Sequence, residues 1–441
     1  MAEWCAANLR NCEGWRSAGL ELSTTSDENA RWLDACIRQL VSWSDCTSLG
    51  GFNKSLEKLV ESDPNAIMAR SFIVGLKGLG TEAGARDKQF VEEMNKLEID
   101  GEKNGNEREK LHAKAAILWG RGKHHEAAKV WDSILDKFPT DLIAVKFAHD
   151  AHFFNGSAIG KLESIEKKND YRIVFWALEL NRFDCWATHA KAHVLEMNGR
   201  HKEGKSFMYA TEDDWKHGWI LASHNYWHTA LFHIEFGEYE DAISIFDKEI
   251  SNRFNRTRSL LDMVDASSLL WRLELEGANV GKDRWRMLKN LGNFIDNHSI
   301  VFNDVHLGLA LNRQEDLETA EKLRDSLDEY SKLLSEDNAQ ISRTIGMPLY
   351  DGMIDFANGK YDEAVLKMYP IKDEVVKIGG SHAQRDMFVQ TLIRSCMLSK
   401  NEENWMKTQE LLRQRSEFKP NSVLGERLAE KFRILHPISV F

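Results

Sequence analysis

Residues 237–242 read Gly-Glu-Tyr-Glu-Asp-Ala, and Phe246 follows four residues after the alanine. The phrase joins two apolar-periodic segments. Downstream, Ala242, Ile243, Ile245, Phe246 and Ile250 recur at helical spacing, the mark of an amphipathic helix. A glycine at the junction ends the upstream helix, because it alone enters the left-handed region without steric cost. The small residue at the sixth place lets two helices approach closely. Three more copies follow the same rule: Gly122 to Ala127, with Trp131 beyond it, then Gly199 to Gly204 and Gly359 to Ala364. Their glycines are 77, 38 and 122 residues apart, close to multiples of a repeat of about 34–41 residues.

Leu111–Trp119 and His124–Phe138 carry the same helical period, and Pro139 closes the second of them. No run alternates strictly, and no strand–helix–strand rhythm appears. The 441 residues contain only 6 Pro and 28 Gly, too few breakers for a sandwich or barrel with a turn every 8–12 residues or so. With 42% apolar and 29% charged residues, the chain has enough apolar content to fold. The expectation is an all-α chain of short helices with short links.

Charge and signals narrow the function classes. The net charge is −11, opposite to the basic surplus of a nucleic-acid binder. No stretch approaches the roughly 18 consecutive apolar residues of a membrane span. The first residues lack a basic segment followed by an apolar one, so no secretory signal is read. The six cysteines, Cys5, Cys12, Cys36, Cys46, Cys185 and Cys396, are scattered without a C-x-x-C and are expected as reduced thiols in the cytoplasm. Phosphate-binding loops and a G-x-S-x-G elbow are absent.

The phrase G-x-Y-x-x-A-x-x-x-[FW] within a helix pair resembles the tetratricopeptide repeat. Longer strings resemble the tetratricopeptide repeat protein 38 family across nearly the whole chain. They are LSTTSDEN (22–29), TSLGG (47–51), PTDLIAVKFAHDAHF (139–153), SHNYWHTALFHIEFGEYEDA (223–242), LLDMVDASSLLWRLELEG (260–277), FNDVHLGLA (302–310) and GGSHAQRDMF (379–388). The resemblance implies an α-solenoid of such repeats, a right-handed superhelix over residues 26–441, with 1–25 as an N-terminal cap or extension. It fixes no biochemical activity. One departure stands out: the family pattern carries an extra helix pair between His152 and His189, where this chain has only Lys161–Asn181. A shortened repeat is expected around 155–185, as a splice form would produce. Its apolar run Ile173–Leu180 is then a surface for self-association.

Chemistry-bearing residues cluster. His149 and Asp150 are adjacent, His189 and His193 are four apart with Glu196 three further on, and His224, Asn225 and His228 lie in SHNYWH. Asn303, Asp304 and His306 share FNDVH. Residues three and four apart share a helix face. In a tetratricopeptide solenoid the first helix of each pair lines the concave groove, and neighbouring first helices are about 8–10 Å apart, so these pairs are expected to converge on one pocket. Asp262 and Asp265 lie on an apolar helix and need partners, which Arg272, Arg385 or a histidine would supply. Gln384 and Arg385 follow a flexible Gly379–Gly380 pair and are placed on the pocket wall with Asp150 and Asp262. The expected actors are His224 or His228 as base, held by Asp304, with His306 beside them. Three readings stay open for these residues: a metal-free acid–base or ligand site, a buried structural network, and a divalent metal such as zinc on His189, His193 and Glu196. This is not H-E-x-x-H and no cysteine joins it, so no metal or cofactor is assigned. Two functions follow. One is a module that binds a protein or peptide, favouring basic ligands, through its groove. The other is an enzyme or small-molecule-binding protein with a His/Asp-rich site there.

Overall fold

In the computed structural model the Ile220–Phe236 helix ends at Gly237, whose φ is +76°. Its N–H bonds the Ile234 carbonyl at 3.0 Å, and the next N–H, of Glu238, reaches back to His233 at 3.0 Å. This left-handed closure satisfies carbonyls that the helix end would leave unpaired and turns the chain into the Tyr239–Ile245 helix, which packs against the one before it. Gly122, Gly199 and Gly359 stand at φ +76°, +68° and +75° after the Glu107–Gly120, Cys185–Met197 and Met347–Ala357 helices. Ala127, Ala242 and Ala364 are fully buried at the small position. At Gly204 a Cβ would sit 2.3 Å from Phe232 Cζ, so the glycine sets how closely His201–Ala210 approaches Ile220–Phe236.

The structure describes residues 3–157, 178–179 and 181–437. Among these the chain is all-helical, with no strand and a single isolated bridge between Ser44 and Gly218. No helix there is long and apolar enough to cross a membrane. Most of Lys161–Asn181, and so most of the shortened repeat expected around 155–185, lies outside the described residues.

Side-chain caps start the helices that matter for the site. Asp184 accepts from the N–H groups of Trp186 and Ala187 at 2.9 Å and opens Cys185–Met197. Ser259 opens Leu260–Glu276. Ser381 and Gln384 form a reciprocal capping box that opens His382–Leu398. The Cys185–Met197, Ile220–Phe236, Leu260–Glu276 and Val301–Gln314 helices pack each on the next.

Contacts also run between helices distant in the chain. Leu260–Glu276 meets His382–Leu398, where Trp271 Nε1 donates to Thr391 Oγ1 at 2.9 Å. The Val423–Leu435 helix returns to Ile220–Phe236. Its Arg427 donates to the Ile234 and Glu235 carbonyls at 2.8 and 2.7 Å and pairs with Glu276 at 2.7 Å.

One apolar cluster runs from Trp15 to Ala151 and a second from Cys185 to Phe432. They are joined where Phe52 meets Trp219 (ring centroids 4.5 Å apart) and where Asp337 N–H donates to the Gly122 carbonyl at 2.9 Å. The N-terminal segment is docked: Cys12–Ser17 forms a helix, and Trp15 is buried with Arg10 stacked on its ring at 3.7 Å.

Candidate functional site

Two adjacent helices bring four imidazoles together. Cys185–Met197 contributes His189 and His193, and Ile220–Phe236 contributes His224 and His228. In each pair the spacing of four puts both rings on one face. The ring centroids of His193 and His228 lie 4.3 Å apart, those of His189 and His193 4.5 Å, and those of His189 and His224 4.8 Å. One ligand nitrogen from each of the four lies within 4.8 Å of all the others. Trp227 stacks on His224 at 5.1 Å, and Trp186 lies 5.0 Å from His189. These indoles fix the rings. His228 is fully buried, His189 nearly so, while His193 and His224 keep partial exposure.

Carboxylates hold two of the rings. Asp265, from Leu260–Glu276, takes His224 Nδ1 at 2.8 and 2.9 Å. A carboxylate oxygen accepts, so Nδ1 is the donating nitrogen of this pair and Nε2 is the one turned away from Asp265. Glu196 Oε2 lies 3.4 Å from His228 Nδ1, a charge contact too poorly aligned for a hydrogen bond. Both nitrogens of His189 and of His228 are buried with no hydrogen-bond partner among the described residues. Burial, then the neighbouring imidazoles, holds His189 well below the usual histidine range. Burial and His228 do the same for His193, and burial also lowers His228. Three of the four rings are therefore neutral at physiological pH, with lone pairs available.

Behind the rings runs a buried charge network. Glu196 Oε1 takes Lys419 Nζ at 2.5 Å, and Lys419 lies 3.4 Å from Asp386. Asp386 is gripped by Arg415 at 2.9 and 3.0 Å and faces Arg272 at 3.6 Å. Arg272 also stands over the Trp227 ring at 5.5 Å. Burial alone would raise both carboxyls. Lys419 and His228 outweigh it at Glu196, and Arg415, Lys419 and Arg272 outweigh it at Asp386, so both stay well below the carboxylate range.

Not every expected site residue joins the cluster. Asp304 does not hold His224 or His228: its Oδ1 takes His298 Nδ1 at 2.9 Å. His306 donates from Nδ1 to the Phe302 carbonyl at 2.8 Å and packs on Phe302 and Phe388. Asn303 lies on the same helix, its buried amide without a partner among the described residues. Thus the third expected element, FNDVH, turns into the core around His298 rather than toward the imidazoles.

Asp262 takes the Thr257 hydroxyl at 2.5 Å, and burial raises its carboxyl to about 7. Asp150 pairs with Lys146 at 2.6 Å and with His149, whose ring meets Trp186 edge-on at 5.5 Å. Asn225 donates to the Cys185 carbonyl at 3.4 Å. Gln384 completes the capping box that opens its helix. Arg385 pairs with neither Asp262 nor its neighbour Asp386. It donates to the Gly379 and Gly380 carbonyls, and burial lowers it to about 10. It lines a cavity of about 250 Å³ with Val389 and Leu392, into which Asp386, Arg415 and Lys419 of the charge network also face.

Sequence reasoning missed Lys419, Asp386 and Arg415 as supports of the site. Glu196 and Lys419 are 223 residues apart, and no local period signals such a pair. Compared with models of known protein families, the chain matches none.

Proposed function

We propose that this is a tetratricopeptide-like repeat protein, similar to the tetratricopeptide repeat protein 38 family and coiled as a right-handed solenoid, whose working site is the imidazole cluster. The cluster binds a small polar molecule and acts on it in the cytoplasm. His224 and His228 are its lone-pair donors, with Asp265 in the place expected for Asp304. One observation carries the reading: four buried nitrogens, on His189 and His228, stand unpaired among the described residues beside a His224–Asp265 dyad. Unpaired buried polar atoms cost about 1–3 kcal/mol each, a cost that a bound polar ligand removes. The experiment incubates the full-length protein with a cellular metabolite extract and follows retention and turnover by mass spectrometry. A metabolite retained or consumed by the wild type but not by Asp265→Asn or His224→Gln supports the reading. A wild type that neither retains nor converts any sinks it.

The helix-pair turns and the net charge of −11 favour a second reading, a module for basic peptide segments. Lys/Arg-rich peptides that bind the protein equally well with and without His224→Gln would favour it.

A further inference from the structure

We propose that His189, His193, His224 and His228 hold one divalent transition-metal ion of the zinc class, with all four ligand atoms imidazole nitrogens. The proposal rests on the cluster being the working site and names the ligand its lone pairs take.

Geometry is the first argument. Four atoms all within 4.8 Å of one another fit inside a sphere of radius about 2.9 Å, so none has to move inward by more than about 0.9 Å to reach the 2.0–2.1 Å zinc–nitrogen bond length. Rotation about side-chain torsions covers that distance without moving the helices. The rings already face one another from two helices that pack directly on each other, with the Trp227 and Trp186 indoles against His224 and His189.

The second argument is how the far side of two of the rings, His224 and His228, is treated. A metal-bound imidazole gives its lone pair to the ion from one nitrogen and donates N–H from the other, most often to a carboxylate. His224 does this through Nδ1 to Asp265 at 2.8 Å, and His228 Nδ1 faces Glu196 at 3.4 Å. Both carboxylates come from the protein interior, on Leu260–Glu276 and Cys185–Met197, and Glu196 is held in turn by Lys419. Structural histidines in a core are usually satisfied by the fold itself. These are oriented by it and left with unpaired nitrogens.

Third, the donor set selects the ion. Four imidazole nitrogens suit zinc, copper, nickel or cobalt, whereas magnesium and calcium require oxygen ligands. Glu196 does not compete for the ion, because its oxygens are turned to Lys419 and His228. A second cluster, His233, Glu238 and Asp241, has its histidine already engaged on both nitrogens. Nδ1 meets Glu238 at 2.6 Å and Nε2 meets the Tyr209 hydroxyl at 2.7 Å. It serves as the internal control.

The test strips the full-length protein with a chelator and titrates it with Co²⁺ alone, followed by Zn²⁺ competition. One equivalent of Co²⁺ is expected to give the intense visible absorption of four-coordinate cobalt, and Zn²⁺ should abolish it. Elemental analysis of the zinc-loaded protein should then give one zinc per chain. His193→Gln, at the more exposed ring, should lose the cobalt band, and so should His228→Gln. Asp265→Asn should weaken binding by about 10–100-fold. His233→Gln should change neither stoichiometry nor spectrum. Circular dichroism verifies that each variant is folded, and His193→Gln decides the comparison if His228→Gln is not. No cobalt band and no zinc uptake at tenfold excess would overturn the proposal, as would uptake undiminished in folded His193→Gln. Metabolite retention by stripped protein that takes up no metal leaves the working-site reading standing and removes only the ion. Metal uptake without any metabolite handling does the reverse.

Discussion

Replacing Arg415 by Met keeps most of the volume of the side chain and removes its charge. In the wild type Arg415 Nε and Nη2 grip the two oxygens of Asp386 at 2.9 and 3.0 Å, and Nη1 reaches the Ser422 hydroxyl at 3.1 Å. Both partners are almost fully buried, with side-chain exposures of 4% and 7%. Breaking a buried pair by removing one partner costs about 3–5 kcal/mol, because a charge is left in the interior without compensation. Asp386 retains Lys419 at 3.4 Å and Arg272 at 3.6 Å, weaker contacts that recover part of the loss. The expected destabilisation is therefore at the lower end, about 3 kcal/mol.

The pH dependence gives an independent reading of the same pair. The Asp386 carboxyl is held well below its usual range, so the stability it contributes is fully present above its unfolded value of about 3.9 and is lost as pH falls through the folded value. The gap between wild type and Arg415→Met should accordingly be constant from pH 5 to 8 and narrow below about pH 4. Denaturant unfolding of the full chain, followed by the helical circular dichroism signal, measures both quantities. The exposed pair partner Lys322, beside Glu318, supplies a control whose replacement by Met should be indistinguishable from wild type. A loss under about 1 kcal/mol, or a gap that does not change with pH, would refute the reasoning.

Gly204→Ala should destabilise by about 1–3 kcal/mol, because its methyl would lie 2.3 Å from Phe232 Cζ in a closely packed helix pair; an unchanged denaturation midpoint would show that the helices can part at no cost. Asp262 has a carboxyl raised to about 7 by burial, so its contribution is fully present below about pH 4 and is lost as pH rises toward 7. Asp262→Asn should raise the melting temperature at pH 8 and change it little at pH 4, and equal shifts at both pH values would contradict that sign.

Local signals were readable wherever they acted within one helix or one turn. The glycine phrase marked a left-handed turn at each of its four copies, since a positive φ and a small packing residue are properties of a few adjacent positions. The spacing of four gave the two histidine pairs for the same reason, and Glu196 one turn further fell on the same side. What failed was the step from helix to helix. Asp304 and His306 were expected at the imidazoles because they share a place in the repeat. The rotation of Val301–Gln314 is set instead by its own apolar residues, and it turns Asp304 to His298. Gln384 was expected on the pocket wall, and its hydrogen bonds with Ser381 show it also completes a capping box, a role that a polar residue after a Gly pair does not announce. The Lys419–Asp386–Arg415 network had no local signature at all. Its ion pairs span 29 to 223 residues.

The Glu196–Lys419 pair also orders events in time. A ribosome makes Glu196 long before Lys419, which stands 223 positions further along the chain. The two histidine helices are complete well before that cation exists. During synthesis a closed imidazole cluster would enclose Glu196 as a buried carboxylate without its counter-charge, a species disfavoured by several kcal/mol. The nascent chain is thereby biased to keep this region open until its later helices arrive. The site is assembled last although its ligands are translated midway, and any premature release of the chain would yield a protein with its histidines in place and their supporting charge missing.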